Sequence, residues 1–254
     1  MRLVRPRRCG AVRPLLLLAL TALTTMVSAA DPPRIFMAGD STMADKPLDL
    51  PERGWGMALP RFFRDPTMIR NHAVNGRSTR SFLDEGRWQK LVDELDAGDY
   101  VIIQFGHNDE KIEDPSRGTD PATTFRDNLR RFVRDVRARQ AFPVLATPVC
   151  RRKFDGEGRL VLTHGAYPDA VREVAREETV PLLELEQATA RWLREAGDEP
   201  SKKFFMWIEP GRYSRLPGGK EDDTHFVEAG ATRVAELAVA QMRDLKLPVT
   251  DWLK

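Results

Sequence analysis

The sequence predicts an α/β fold: one parallel β-sheet with helices packed on both faces. Two observations predict it. Short apolar segments rich in β-branched residues recur along the chain and read as strands buried on both sides. Between them lie longer stretches with apolar residues at helical spacing. Such alternation of strand and helix is the pattern of parallel sheets. A third observation sets the domain count. No internal repeat, low-complexity tract or linker divides residues 31–254, which read as a single domain.

In chain order the predicted strands are "RIFMAG", "MIRNHAV", "YVIIQFG", "FPVLATPV" and "VPLLELE". The predicted helices are "RSFLDEGRWQKLVDELDAG", "PATTFRDNLRRFVRDVRARQ", "YPDAVREVAREET" and "VEAGATRVAELAVAQMRDL". In the second of these, Phe125, Leu129, Phe132 and Val133 fall on one face, and Arg130, Arg131, Arg134 and Arg137 read as solvated surface. Trp55, Trp88 and Trp192 sit in helical or turn stretches and read as core. Residues 197–223 differ, being rich in Gly, Pro and charge with scattered aromatic residues. A loop of this length in a compact domain is commonly functional or disordered, and its place just before a histidine favours function.

Residues 1–30 stand apart. A basic stretch, the apolar run "LLLLALTALTTMV" and the small residues "SAA" follow in the order of a secretory signal peptide. The run is short for a membrane span, and no later segment approaches one. The expectation is an exported protein, periplasmic or extracellular, without membrane insertion after cleavage. Five of the 40 basic residues lie in this leader, leaving 35 against 38 acidic residues, so the mature chain gives no reason to expect nucleic acid as a partner. Of the two cysteines only Cys150 remains, so internal disulfides cannot hold the fold and a substantial core must.

Open α/β sheets place their sites at the carboxyl ends of strands. After the first predicted strand comes Gly39-Asp40-Ser41-Thr42, after the second Asn75-Gly76, and after the third Gly106-His107-Asn108-Asp109. Just before the last helix stands "EDDTHF". Together these supply the parts of serine-based acyl transfer. Ser41 is a weak nucleophile that needs a base, and His225 is the candidate base. A carboxylate must hold the other ring nitrogen, and the neighbours Asp222 and Asp223 both qualify. The Ser41 and Gly76 backbone N–H groups and the Asn108 amide are candidate oxyanion donors. Each residue has a plainer reading by itself. Ser41 is a good helix N-cap, Asn108 suits a turn, and Asp40 reads as a residue that fixes the turn. What singles out the set is that separate strand-end segments each provide a different required part.

These residues carry a resemblance. "GDST", Asn75-Gly76, "GHND" and "DDTH" resemble the four sequence blocks of the SGNH, or GDSL-type, hydrolase superfamily, with Ser41, Gly76, Asn108 and His225 at the four named positions. Thr42 replaces the usual leucine, as in the rhamnogalacturonan acetylesterase branch. Two longer stretches also look like that branch: "TPVCRRKFDGEGRLVLTHGAYPDAVREVAREETVPLLELE" and "FFMWIEPGRYSRLPGGKEDDTHF".

The resemblance implies a flavodoxin-like three-layer α/β/α sandwich around a five-stranded parallel sheet. It implies a Ser-His-Asp esterase without metal or cofactor that deacetylates an acetylated polysaccharide, most simply pectin. Its D-x-x-H spacing selects Asp222 as the acid. His107 occupies a variable place in the third block and is expected to line the pocket. Trp207 and Tyr213 in the long loop are candidates for stacking on sugar, against local packing as the plainer reading.

Three other functions compete. The superfamily also hosts lipid and short-acyl esterases and thioesterases. A carbohydrate-binding module without catalysis would use the same loop aromatics, but the intact Ser41, Asp222 and His225 set argues against it. A two-metal phosphoesterase needs clustered ligands, and the four histidines, His72, His107, His164 and His225, are scattered.

Overall fold

The computed structural model describes residues 32–254; the predicted signal peptide lies outside them. The elements, in order, are β1 (Ile35–Gly39), β2 (Glu52–Arg53), α1 (Trp55–Ala58), β3 (Ile69–Asn71), α2 (Thr79–Asp84), α3 (Arg87–Asp93) and β4 (Tyr100–Gln104). They continue with α4 (Thr124–Ala138), β5 (Phe142–Ala146), α5 (Tyr167–Glu177), β6 (Leu182–Leu183), α6 (Leu185–Ala196), α7 (Asp198–Ser201), β7 (Phe226–Val227) and α8 (Glu228–Asp244).

Five strands form one parallel sheet in the order β3-β1-β4-β5-β6. The chain first steps from β1 to β3 on one side, then returns to add β4 on the other. This reversal opens a crevice at the carboxyl ends of β1 and β4, where α/β sheets place their ligands.

Strand periodicity divides the interior into two layers. Ile35 and Met37 of β1 and Ile102 of β4 face Trp55, Val234, Ala235 and Ala238. Phe36, Ala38, Val101 and Ile103 face the other way, onto Phe82, Trp88, Phe125, Phe132 and Val133. Trp88 and Phe132 pack with ring centroids 4.1 Å apart. Burying one such side chain contributes about 2–3 kcal/mol. Trp55, Trp88 and Trp192 are all buried.

The structure departs from the sequence expectation in three places. The predicted helix over residues 80–98 is two, α2 and α3, because Gly86 takes a left-handed backbone (φ 70°) between them. The predicted strand "VPLLELE" is only two residues long, and α6 begins at Leu185 within it. Leu185, Ala190, Trp192 and Leu193 form the buried face of that unpredicted helix. Finally, residues 197–223 are structured. They contain α7, a 3₁₀ turn at Lys202–Phe204 and a hairpin in which Ile208 and Lys220 exchange backbone hydrogen bonds. No helix among the described residues is long and apolar enough to cross a membrane.

Candidate active site

Ser41 follows β1 by two residues, and the turn that carries it is over-determined. The Asp40 carboxylate accepts from the Thr42 N–H at 2.9 Å and the Thr42 hydroxyl at 2.8 Å. Gln104 at the end of β4 donates to the same hydroxyl and accepts from the Trp55 indole. A leucine in place of Thr42 would break this buried chain between the two central strands. Segment 52–56 then crosses over the turn, with the Trp55 N–H bonded to Thr42 O. Gly54 permits that crossing, since a Cβ there would lie 2.2 Å from Ala44 O.

The same segment positions the candidate base. Its strand β2 pairs antiparallel with β7, whose first residue directly follows His225. Met206 of the long loop donates to His225 O from the other side. His225 Nε2 stands 2.8 Å from Ser41 Oγ, and Nδ1 stands 2.8 Å from Asp222 Oδ2. Asp222 also accepts from the Thr224 and His225 N–H groups and from Lys220 Nζ. Burial opposes ionisation of this carboxyl, but the hydrogen bonds from His225 and Lys220 outweigh it and hold it well below the usual carboxylate range. An ionised Asp222 keeps the proton on His225 Nδ1, leaving Nε2 to accept from Ser41. Asp223 points elsewhere. It pairs with buried Arg152 at 2.7 Å and accepts from the Trp207 indole at 2.8 Å.

The three candidate oxyanion donors lie on the turns after β1, β3 and β4. Among the described residues, neither the Ser41 nor the Gly76 backbone N–H meets an acceptor. Gly76 has φ 75°, a conformation that favours glycine. Asn108 gives one Nδ2 proton to Arg77 O at 3.0 Å, and its Oδ1 accepts from Lys111 Nζ at 3.0 Å. These two bonds fix which end of the amide is the donor and leave a second Nδ2 proton for a ligand.

Two substrate-contact expectations change. His107 does not line the pocket; it is buried behind the Ser41 turn, with Nδ1 3.3 Å from Asp40 Oδ2 and its ring against His164. Burial chiefly lowers its pKa, to about 4, and the nearby Asp40 only partly offsets that. Asp40 itself is penalised by burial yet lowered to about 2 by His107 and by its bonds from Thr42. Trp207 is engaged in packing, its ring 4.1 Å from Lys202 Nζ and 5.2 Å from the Arg152 guanidinium. Phe204 packs on Trp192, and Phe205 is buried. Tyr213 lines a cavity of about 380 Å³ with Leu48, Leu50, Arg53 and Val227.

Sequence reasoning missed three lysines. Lys220 braces Asp222, and Lys111 braces Asn108. Lys46, buried, bonds Asn75 Oδ1 at 2.5 Å and Glu52 at 2.6 Å, tying the turn of Gly76 to β2. No local motif marks any of them. Cys150 is buried, its thiol pushed up to about 12 chiefly by desolvation, which leaves it inert. No group of three or more His, Cys, Asp or Glu able to hold a metal occurs among the described residues.

The chain matches the GDSL-like lipase/acylhydrolase family over residues 37–233. It is 43% identical to the rhamnogalacturonan acetylesterase RhgT of Bacillus subtilis, across 87% of this chain and 94% of that protein. The crystal structure of YxiM from Bacillus subtilis superposes with a TM-score of 0.72 at 27% identity, covering 85% of this chain and 57% of that one. An acetylxylan esterase from Geobacillus stearothermophilus shares the fold, with a TM-score of 0.55 at 16% identity, covering 83% of this chain and 94% of that one.

Proposed function

Because the chain belongs to the GDSL-like lipase/acylhydrolase family of carboxylic ester hydrolases, we propose that it removes acetyl groups from an acetylated pectic polysaccharide, rhamnogalacturonan. The observation that carries the reaction is the continuous Ser41–His225–Asp222 hydrogen-bond relay, 2.8 Å at each step, with the candidate oxyanion donors on the turns after β1, β3 and β4. Similarity to RhgT along most of both chains supports the glycan substrate.

In this mechanism His225 Nε2 takes the Ser41 proton as Oγ attacks the acetyl carbonyl. The developing oxyanion is received by the Ser41 and Gly76 N–H groups and by Asn108 Nδ2. The tetrahedral intermediate collapses as His225 returns its proton to the departing sugar oxygen, leaving an acetyl ester on Ser41. Water, deprotonated by His225, then attacks that ester. Acetate leaves, and the proton returns to Ser41 Oγ. Asp222, held ionised by Lys220 and its neighbouring N–H groups, stabilises the imidazolium in both halves.

The test is acetate release from acetylated rhamnogalacturonan, acetylated xylan and p-nitrophenyl esters of increasing chain length, measured side by side. Faster turnover of long-chain acyl esters than of either glycan would displace this reading. The order of basic, apolar and small residues in residues 1–30 supports export of the enzyme to where such polymers occur. N-terminal sequencing of protein recovered from culture fluid tests that, and a retained leader would overturn it.

A further inference from the structure

Beside the oxyanion donors lies a group of cations that the mechanism does not use. Lys111 Nζ sits 3.0 Å from Asn108 Oδ1, and among the described residues it has no carboxylate within ion-pair distance. Arg117 places Nη1 3.9 Å from the position a Cβ on Gly76 would take. Its Nε is bound to Asp114 at 2.6 Å, which leaves Nη1 beside Gly76. Both side chains are partly exposed. Lys111 is destabilised as a cation by burial first, then by Arg117 and Arg151, and the more distant carboxylates of Glu110 and Asp40 offset this only in part. Arg151 itself is neutralised by Glu110. Two like charges that act on each other, one of them without an ion-pair partner among the described residues, form a site complementary to an anion. Two arginines of α4, by contrast, are neutralised. Arg126 and Arg130 pair with Glu173 and Glu177 of α5.

We propose that Lys111 and Arg117 form a subsite for the carboxylate of a uronic acid in the glycan, set beside Gly76 and Asn108 so that it positions a neighbouring acetyl ester over Ser41. This rests on the deacetylation of an acidic polysaccharide inferred above. A guanidinium presents paired N–H donors that suit a carboxylate, and Lys111 adds a point charge on the same side. Binding energy taken from a remote carboxylate is of the kind that orients the reacting ester.

The test compares an acetylated rhamnogalacturonan oligosaccharide with the same material after its uronic acids have been reduced to neutral sugars. Wild-type enzyme is expected to show a KM about tenfold or more lower for the acidic form. That preference should shrink in 0.5 M NaCl, through screening of the partly exposed pair. Arg117→Gln should collapse the preference toward unity, and Arg117→Lys should restore part of it. Lys111→Gln should also collapse it, and should lower kcat on both substrates because Lys111 braces Asn108. Equal KM values for the two forms in the wild type, with acetate released from both, would overturn the subsite while leaving the deacetylase assignment intact. A preference that survives in Arg117→Gln would overturn it as well. Release of acetate from neither oligosaccharide, alongside turnover of p-nitrophenyl acetate, would overturn the substrate assignment and the subsite with it. The wild-type comparison needs no variant to fold.

Discussion

Ser41 Oγ and His225 Nε2 stand 2.8 Å apart although they are 184 positions apart in the chain. The antiparallel pairing of β2 with β7 produces this proximity. One end of the ribbon leads into the segment that clamps the Ser41 turn, and the other is anchored directly after the histidine. Ser41→Ala is therefore expected to leave a folded protein, since the turn is held by Asp40, Thr42 and Gln104. Its turnover of p-nitrophenyl acetate should fall to background. Undiminished activity in a correctly folded Ser41→Ala protein would remove the serine from the mechanism. Asn108→Ala removes one oxyanion donor and should lower kcat by about 100- to 1,000-fold.

Asp222 and Asp223 are adjacent in sequence but hold different partners, so their amides should separate two effects. Asp222→Asn loses the carboxylate that fixes the His225 tautomer, and kcat should fall by about 1,000- to 10,000-fold with little change in melting temperature. Asp223→Asn weakens the hold on buried Arg152 and should destabilise the fold by about 1–2 kcal/mol while leaving most of the activity. Paired kinetics and thermal melts check both, and the reverse pattern would exchange their roles.

Lys46 is buried between Glu52 and Asn75. Lys46→Met strands the Glu52 carboxylate and frees the turn that carries Gly76. Loss of one partner of a buried pair costs about 3–5 kcal/mol, reduced here because Glu52 is partly exposed. A melt should register the destabilisation, and kcat should fall more than KM rises, because the displaced N–H acts on the transition state. A rise in KM alone would argue that Lys46 does not position that donor.

His107 gives a pH dependence of stability. Burial lowers its pKa from 6.5 in the unfolded chain to about 4 in the native state. Between these values the unfolded chain binds a proton that the native protein refuses. Its contribution is therefore complete above pH 6.5 and is lost as pH falls toward 4. The native preference for neutral His107 corresponds to about 3 kcal/mol across that window. Asp40, lowered from 3.8 to about 2, adds a second loss only below about pH 4. Urea denaturation from pH 7 to pH 4 should show the slope, and His107→Gln should flatten it. An unchanged slope in the variant would place the titration on another group.

Much of the fold and of the candidate site was legible in the sequence. Strand and helix periodicities depend on which faces are buried, and that information is carried locally by residues such as Phe36, Ile103, Phe125 and Phe132. Ser41, Gly76, Asn108 and His225 were legible because each follows a strand or precedes a helix, where an α/β sheet exposes its ends. Helix α6 was hidden because "VPLLELE" is apolar at both strand and helix spacing. Only packing of Trp192 and Leu193 against the core decided between them.

Residue chemistry and spacing by themselves determined the α/β class and the candidate nucleophile, base and oxyanion donors. They left the acid open between two neighbouring aspartates, a choice that the family resemblance resolved as Asp222. Tertiary structure decided which groups face one another. It set Asp222 on His225 and Asp223 on Arg152, folded His107 inward and Trp207 against cations, and brought Lys46, Lys111 and Lys220 to the site from positions no motif marks. The reason is physical. A side chain's type follows from the sequence, but its orientation depends on distant backbone, and partners separated by tens of residues leave no local periodicity to read.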